Sequence, residues 1–163
     1  METEIDGIGR LASGWETTEW TLRTLTPIWA GGIVKGECAK ETKASTLIGS
    51  LRYWAEQTCR DTKTAVCSGD DWCGKADCGV CGVFGSTECV RAFRIQITGL
   101  PYVEDQGGLW SDEFRIKVWT RKGDGRGERA KQLTGDAVRL FAAKGGFGAR
   151  TQHGWGQVEL LGG

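Results

Sequence analysis

Residues 93–98 read Phe-Arg-Ile-Gln-Ile-Thr, and residues 114–119 read Phe-Arg-Ile-Lys-Val-Trp. In each segment large apolar residues occupy every second position and mostly polar residues lie between them. This is the period of a strand that has one face buried and the other face in water. The alternation therefore predicts two half-buried strands, joined by a loop over residues 99–112.

Further elements are predicted on both sides of these strands. Residues 20–28 (Trp-Thr-Leu-Arg-Thr-Leu-Thr-Pro-Ile) have the composition of a strand and end at Pro27. Apolar residues then recur at helical spacing from Ala44 to about Cys59, which predicts an amphipathic helix. After a glycine-rich turn the same spacing returns from Ala130 to Phe141, and residues 157–161 can form a last strand.

The order of elements is strand, helix, strand, strand, helix, strand. This order predicts an α+β, ferredoxin-like βαββαβ domain with a four-stranded antiparallel sheet and both helices on one face. A chain of 163 residues is long enough for one such domain, so residues 1–163 are interpreted as a single unit. The aromatic signature of the RNA-recognition motif is absent from the third strand, which disfavours a standard member of that class.

The overall charge does not indicate nucleic-acid binding, because 21 basic residues balance 21 acidic ones. Any RNA site must therefore be local. Residues 114–131 hold seven basic residues against two acidic ones, although a solvated mixed face is the simpler interpretation. No apolar run has the length of a membrane span and the first residues are acidic, so a cytoplasmic protein without membrane contact is expected.

Four cysteines lie within fifteen residues, at Cys67, Cys73, Cys78 and Cys81. Four thiolates can close a tetrahedral structural zinc site, and the glycines that follow three of them allow tight turns. The surrounding segment, about residues 61–87, has no apolar period and is interpreted as a zinc-binding insertion between the first helix and the second strand. Two alternatives remain: Cys59 can replace Cys67 as a ligand, or the thiols are simply packed or exposed.

Residues 145–156 read Gly-Gly-Phe-Gly-Ala-Arg-Thr-Gln-His-Gly-Trp-Gly and include the only histidine of the chain. We call this segment the glycine loop. Glycine permits positive φ and close approach, so the loop can present backbone N–H groups to phosphate oxygens, with Arg150, Gln152 and His153 as further donors. A plain turn is the alternative interpretation.

Four motifs in this order resemble the RAMP superfamily of CRISPR-Cas proteins. They are residues 26–32 (Thr-Pro-Ile-Trp-Ala-Gly-Gly), 43–54 (Lys-Ala-Ser-Thr-Leu-Ile-Gly-Ser-Leu-Arg-Tyr-Trp), 83–86 (Val-Phe-Gly-Ser) and the glycine loop. The likeness is strongest to the first subunit of the type III-B Cmr effector complex. That subfamily generally has two ferredoxin-like domains, so this chain resembles a single-domain or divergent version.

The resemblance implies a noncatalytic RNA-binding subunit of a type III RNA-guided effector complex. Its implied partners are CRISPR guide RNA, target RNA and other RAMP or Cas subunits. Relatives that cleave the target place an aspartate after the first strand, and residues 30–40 contain none. The candidate RNA-contacting residues are Lys43, Ser45, Arg52, Gly145, Gly146, Phe147, Gly148, Arg150, Gln152 and His153.

Two other functions remain open. The first is an endoribonuclease that processes guide RNA, in which His153 removes a 2′-hydroxyl proton while Lys144 or Arg150 stabilises the developing charge. The second is a structural adaptor that binds neighbouring subunits without touching RNA, which zero net charge and eight tryptophans would suit.

Overall fold

The structure of the protein is a computed structural model that describes residues 14–32, 34–42, 44–62 and 78–163. In chain order its strands and helices are β1 (Trp15–Thr24), α1 (Ala44–Asp61), α2 (Cys81–Phe84), β2 (Phe93–Thr98), β3 (Tyr102–Val103), β4 (Gly108–Leu109), β5 (Phe114–Arg121), α3 (Gly125–Lys144) and β6 (Val158–Gly162). Single 3-10 turns span Glu104–Gln106 and Thr151–His153.

Four strands form the main sheet in the order β2-β5-β1-β6, and every neighbouring pair is antiparallel. The two long helices connect β1 to β2 and β5 to β6, which is the predicted order of elements. The α+β class and the antiparallel sheet are thus confirmed, and the arrangement is compatible with a ferredoxin-like fold. The predicted loop between β2 and β5 contains the small β3-β4 ribbon.

The core lies between one face of the sheet and the two long helices. Trp20 of β1, Ile116 of β5 and Phe141 of α3 are each at most 1% exposed and belong to one apolar cluster. Burial of a large apolar side chain contributes about 1.5–3 kcal/mol, so this face supplies much of the driving force for folding. Alternate residues of the same strands point to the opposite face of the sheet.

The first strand differs from its prediction at both ends. It begins at Trp15 rather than Trp20 and ends at Thr24, while Ile28 forms only an isolated bridge with Leu109. The first residues of β1, from Trp15 onward, pair with β5. Their place in the sheet depends on this pairing and not on an apolar pattern of their own, so the composition of the sequence did not indicate it.

Helix α3 begins earlier than its apolar spacing indicates. Asp124 precedes it in an extended conformation and accepts a hydrogen bond from the backbone N–H of Arg126 at 3.1 Å. This is an N-cap contact, which satisfies one of the N–H groups that the first turn leaves open. Within the glycine-rich segment assigned to a turn, Gly123 lies in a turn as predicted, but Gly125 and Gly127 belong to the first turn of the helix.

Part of the predicted insertion packs into the domain. Val80, Val83 and Phe84 belong to the main core, and the Phe84 ring meets Phe93 of β2 edge to face at 5.1 Å. A segment with so few apolar residues shows no helical or strand periodicity in the sequence. These three side chains nevertheless complete the apolar packing in this part of the core. Cys67 and Cys73 lie outside the described residues.

Within the described ranges no helix is long and apolar enough to cross a bilayer.

Candidate functional site

The glycine loop is attached to helix α1 by two side chains. The indole Nε1 of Trp54 donates to the carbonyl of Gly146 at 2.8 Å, and the Ser50 hydroxyl accepts from the N–H of Gly148 at 3.0 Å. Residues four apart on a helix lie on the same face, so Ser50 and Trp54 bind the glycine loop from one face of α1.

The glycine loop also contacts helix α3 and the segment that follows β1. Phe147 is 1% exposed and stacks on Phe141 of α3, with ring centroids 4.6 Å apart and planes inclined by 8°. The N–H of Ala149 donates to the carbonyl of Trp29 at 2.8 Å, and that of Gly156 donates to the carbonyl of Pro27 at 2.7 Å. These contacts fix the loop against the end of the domain.

Glycine is required at two positions of the loop, because neighbouring atoms lie too close to leave room for a Cβ atom. A Cβ atom at Gly145 would lie 2.0 Å from Cζ2 of Trp54, and one at Gly156 would lie 2.0 Å from the carbonyl oxygen of Phe147. Gly156 also has a φ of +74°, which glycine adopts most readily. The glycines of this segment therefore serve packing as well as turning.

The predicted row of phosphate-binding backbone donors is shorter than expected. Seven of the twelve N–H groups of the loop donate to protein acceptors, at Gly145, Phe147, Gly148, Ala149, His153, Gly154 and Gly156. A loop this close to the core satisfies most of its own amides, which leaves fewer of them for a ligand. Side chains are therefore the main groups that the glycine loop offers to a ligand.

Arg150 is the most distinctive of these side chains. It has a φ of 58°, and it is the one residue other than glycine with positive φ in the described part of the chain. Its guanidinium carbon lies 3.7 Å from the centroid of the Trp29 ring, and the Trp155 ring meets Trp29 edge to face at 5.1 Å. No carboxylate pairs with Arg150 among the described residues, so its charge is available to a ligand.

A cleft of about 900 Å³ lies between helix α1 and the glycine loop. Lys144, Arg150 and His153 line it, and its described lining includes no aspartate or glutamate. Tyr53 also lines the cleft and is 52% exposed, so an aromatic ring faces the same space as the cations. A pocket with cations, one exposed ring and no carboxylate suits a negatively charged ligand that also has flat apolar parts.

The structure brings six of the ten predicted RNA-contacting residues to this cleft. They are Gly145, Gly146, Gly148, Arg150, Gln152 and His153. Phe147 belongs to the same loop, but its ring is buried and supports the loop instead of facing the cleft. Ser45 is exposed in the first turn of α1 outside the cleft lining, and Lys43 lies outside the described residues.

Arg52 points away from the cleft. Its Nη2 donates to Sγ of Cys81 at 3.1 Å, its Nη1 donates to the carbonyl of Gly85 at 3.3 Å, and Glu56 lies one turn along the helix at 3.6 Å. Arg52 thus joins α1 to the α2 segment. Ser50 and Trp54, which sequence reasoning did not select, hold the loop instead, and their spacing of four on the predicted helix is the signal that could have indicated them.

Two of the four predicted zinc ligands are described. Cys78 and Cys81 are buried at the start of α2. Burial raises the pKa of the Cys59 thiol, against the opposing charge of Arg129. The described residues alone contain no group of three side chains able to hold a metal, and the zinc site remains a prediction.

Comparisons with known proteins agree with the fold. A chain of the Csm3-Csm4 subcomplex of the type III-A CRISPR-Cas interference complex is similar in structure, with a TM-score of 0.52, 16% identity, and coverage of 90% of this chain and 75% of that chain. A chain of a type IV-B CRISPR complex is similar with a TM-score of 0.53, 15% identity, and coverage of 90% and 89%.

No curated protein matches the chain in sequence. The model of the RAMP superfamily, however, matches residues 21–159, a range that includes β2, β5, both long helices and the glycine loop, together with the end of β1 and the start of β6. The match spans most of the sequence, and the chain therefore belongs to the RAMP superfamily.

Proposed function

We propose that this protein is a noncatalytic, RNA-contacting subunit of a type III CRISPR-Cas effector complex. The observation that carries the proposal is the cleft between α1 and the glycine loop, where Lys144 and Arg150 face an exposed Tyr53 without any carboxylate in the described lining. Phosphates are attracted to the two cations, and Tyr53 offers a surface on which a base can stack.

The chemistry of the cleft suits binding by the RNA backbone. Arg150 is held against Trp29, so little conformational entropy is lost when its guanidinium meets a phosphate. Contacts of this kind set the register of the RNA but do not read bases, which leaves sequence selection to pairing between guide and target.

Membership of the RAMP superfamily supports an assembly with other Cas subunits. Both structural neighbours reported above come from CRISPR complexes, although their low identity extends the likeness to the fold alone. We therefore propose guide RNA, target RNA and adjacent RAMP subunits as the partners of this chain.

Binding of labelled single-stranded RNA by the purified protein tests the proposal. Lys144→Ala combined with Arg150→Ala is expected to lower affinity at least tenfold and to reduce the slope of log affinity against log salt by about 1.4, since each phosphate contact with a single strand contributes about 0.7. Arg139→Ala is the matched control, because that exposed cation lies on α3 away from the cleft and pairs with Asp136. Equal affinity of the double variant and the wild type would contradict the cleft as the RNA site.

An observation also favours the endoribonuclease as a second candidate. His153, Lys144 and Arg150 line one cleft, and helix α1 contributes Ser50, Tyr53 and Trp54 to its opposite side. A general base and two cations thus face the same space. Incubation with repeat RNA in the presence of a chelator separates the two functions: cleavage that His153→Ala abolishes would establish the nuclease, and intact RNA would support the noncatalytic subunit.

The structural adaptor predicts a different result again. Co-expression with the other subunits, followed by nuclease treatment and sequencing of protected RNA, is the relevant measurement. Protected fragments with repeat-derived ends that depend on Arg150 support RNA contact. A complex whose assembly and protected RNA are unchanged in Arg150→Ala would favour the adaptor.

A further inference from the structure

The face of the main sheet turned away from the helices is exposed and carries its own pattern of side chains. Pairing in the sheet places Trp15 of β1 opposite Arg121 of β5, and Trp119 of β5 opposite Arg94 of β2. Residues paired across antiparallel strands lie on the same face, so these four side chains form one surface. Lys117, two residues from Trp119 on the same strand, belongs to it as well.

These five residues form what we call the open-face patch. The guanidinium carbons of Arg94 and Arg121 each lie 5.5 Å from the centroid of the Trp15 ring. Lys117 Nζ lies 5.2 Å from the centroid of the Trp119 ring. Both indoles are partly exposed. The two aromatic residues belong to the two central strands and are diagonal neighbours, with Cα atoms expected about 7–8 Å apart.

The charge of the patch is not balanced by ion pairs within the described residues, although Glu19 lies opposite Lys117 in the register of β1 and β5. Elsewhere on this face Arg23 pairs with Glu159, and Arg115 pairs with Glu19 and Glu113. In contrast, no carboxylate of the described residues forms an ion pair with Arg94, Lys117 or Arg121. One end of the sheet therefore presents two indoles and two arginines, Arg94 and Arg121. Lys117 lies beside them, next to Glu19 at the border of the neutralised end.

We propose that the open-face patch binds single-stranded RNA. Phosphates supply negative charge to these cations, and bases stack on the indole rings or on the guanidinium groups that lie over Trp15. A protein partner suits the surface less well, because it must desolvate Arg94, Arg121 and Lys117, and interface cores are depleted in charged residues. The sequence lacks the usual aromatic signature, but the sheet places Trp15 and Trp119 on the central strands where such sheets stack bases.

The open-face patch is separate from the cleft. The cleft adjoins residues 26–29, beyond the last residue of β1, whereas Trp15 is the first residue of that strand. Ten residues of strand span about 30 Å. The cleft is built by α1, which packs on the opposite face of the sheet. The inference therefore goes beyond the proposed function and does not depend on RNA binding in the cleft.

Fluorescence anisotropy with labelled polyuridine tests the inference. Arg94→Gln combined with Arg121→Gln is expected to lower affinity at least tenfold and to reduce the salt slope by about 1.4. Trp119→Ala is expected to lower affinity about tenfold without changing that slope, because stacking releases no counterions, while Trp119→Phe retains most of the affinity. Arg23→Gln is the matched control: it lies on the same face, its charge is already paired, and wild-type affinity is expected.

The same measurements in the Lys144→Ala, Arg150→Ala background keep the two sites distinct. An unchanged fold-loss from the patch variants in that background supports a second, independent site, even if the cleft itself proves not to bind RNA. Wild-type affinity in both the arginine and the tryptophan variants would overturn the inference, provided that their melting temperatures show them folded. Normal RNA affinity together with loss of a neighbouring subunit from the purified complex would also overturn it and identify a protein interface.

Discussion

The guanidinium of Arg150 lies over the indole of Trp29, 3.7 Å from carbon to ring centroid, and joins the glycine loop to the segment that follows β1. Two of the four motifs that indicated the RAMP superfamily meet at this contact. Trp155 packs on the same indole from another direction. The contact between Arg150 and Trp29 explains how the glycine loop places a cation at the cleft, although most of its backbone N–H groups donate to protein acceptors.

Replacement of Trp29 should therefore weaken RNA binding although Trp29 itself does not line the cleft. Trp29→Ala removes the surface on which Arg150 rests, and a cation–π contact at an exposed site is worth about 0.5–1 kcal/mol, so a two- to fivefold loss of affinity is expected. Trp29→Phe keeps an aromatic face and should lose less. Anisotropy with single-stranded RNA measures both. Unchanged affinity in Trp29→Ala, with only a lower melting temperature, would show that the contact is merely structural.

Gly145→Ala should destabilise the domain. Its new methyl group would overlap the Trp54 ring, and a forced shift in a packed region costs about 1–3 kcal/mol. Gly49→Ala is the matched control, because nothing lies within 4 Å of a Cβ at that position of α1 and alanine favours a helix by up to about 1 kcal/mol. Thermal unfolding should show a lower melting temperature for the first variant and an equal or higher one for the second. A melting temperature of Gly145→Ala equal to that of the wild type would show that Trp54 moves aside freely.

The ion pair between Glu16 and Lys131 should make stability depend on pH at both extremes. Lys131 Nζ donates to Glu16 Oε2 at 2.9 Å, and this hydrogen bond lowers the pKa of Glu16 below 4.5 and raises that of Lys131 above 10.5. The lowered carboxyl pKa contributes stability above pH 4.5 that is lost as pH falls through the folded value. The raised amine pKa contributes stability below pH 10.5 that is lost as pH rises through the folded value.

Glu16→Gln should therefore melt below the wild type at neutral pH, and the difference should vanish in acid. Both side chains are partly in water, so the difference is small and should shrink as salt is added. Melting temperatures of the wild type, Glu16→Gln, Lys131→Met and the double variant across pH measure the coupling. A difference between wild type and Glu16→Gln that is the same in acid and at neutral pH would show that the carboxylate charge is not responsible.

The alternation in residues 93–98 and 114–119 was enough to predict two strands because their burial follows the period of the sheet. The glycine loop was also correctly selected as a distinctive feature, yet the role of its glycines was not predictable. The close contact of Gly145 with Trp54 and the hydrogen bond from the Gly148 N–H to Ser50 both depend on helix α1, more than 90 residues away in sequence. Tertiary packing of this kind leaves no local pattern in the sequence.

The contacts of Arg52 were also not predictable from the sequence near it. Its position on the predicted helix suggested a phosphate contact, but its guanidinium reaches Cys81 and Gly85, which follow a segment that had no recognisable period. The open-face patch was equally hidden. Trp119 and Arg94 are separated by more than twenty positions and become neighbours only through the register of β2 and β5.

The contact between Arg52 and Cys81 bears on the predicted zinc site. Arg52 Nη2 donates to the Cys81 sulfur at 3.1 Å, and donors to ligand sulfur are common around structural zinc. Cys78 is buried three residues before Cys81, a spacing suited to one metal. The donor set that the structure describes thus fits half of a tetrahedral thiolate site.

We therefore expect the purified protein to contain about one zinc per chain, bound by Cys67, Cys73, Cys78 and Cys81. Replacing Cys67 and Cys73 together by serine should remove the metal and lower the melting temperature, because a thiolate site stabilises the folded state that forms it. Cys38→Ala is the control and should keep its zinc. Metal analysis after dialysis measures the content. Zinc-free wild-type protein would contradict the prediction, whereas zinc that survives Cys67→Ser but not Cys59→Ser would assign the fourth ligand to Cys59.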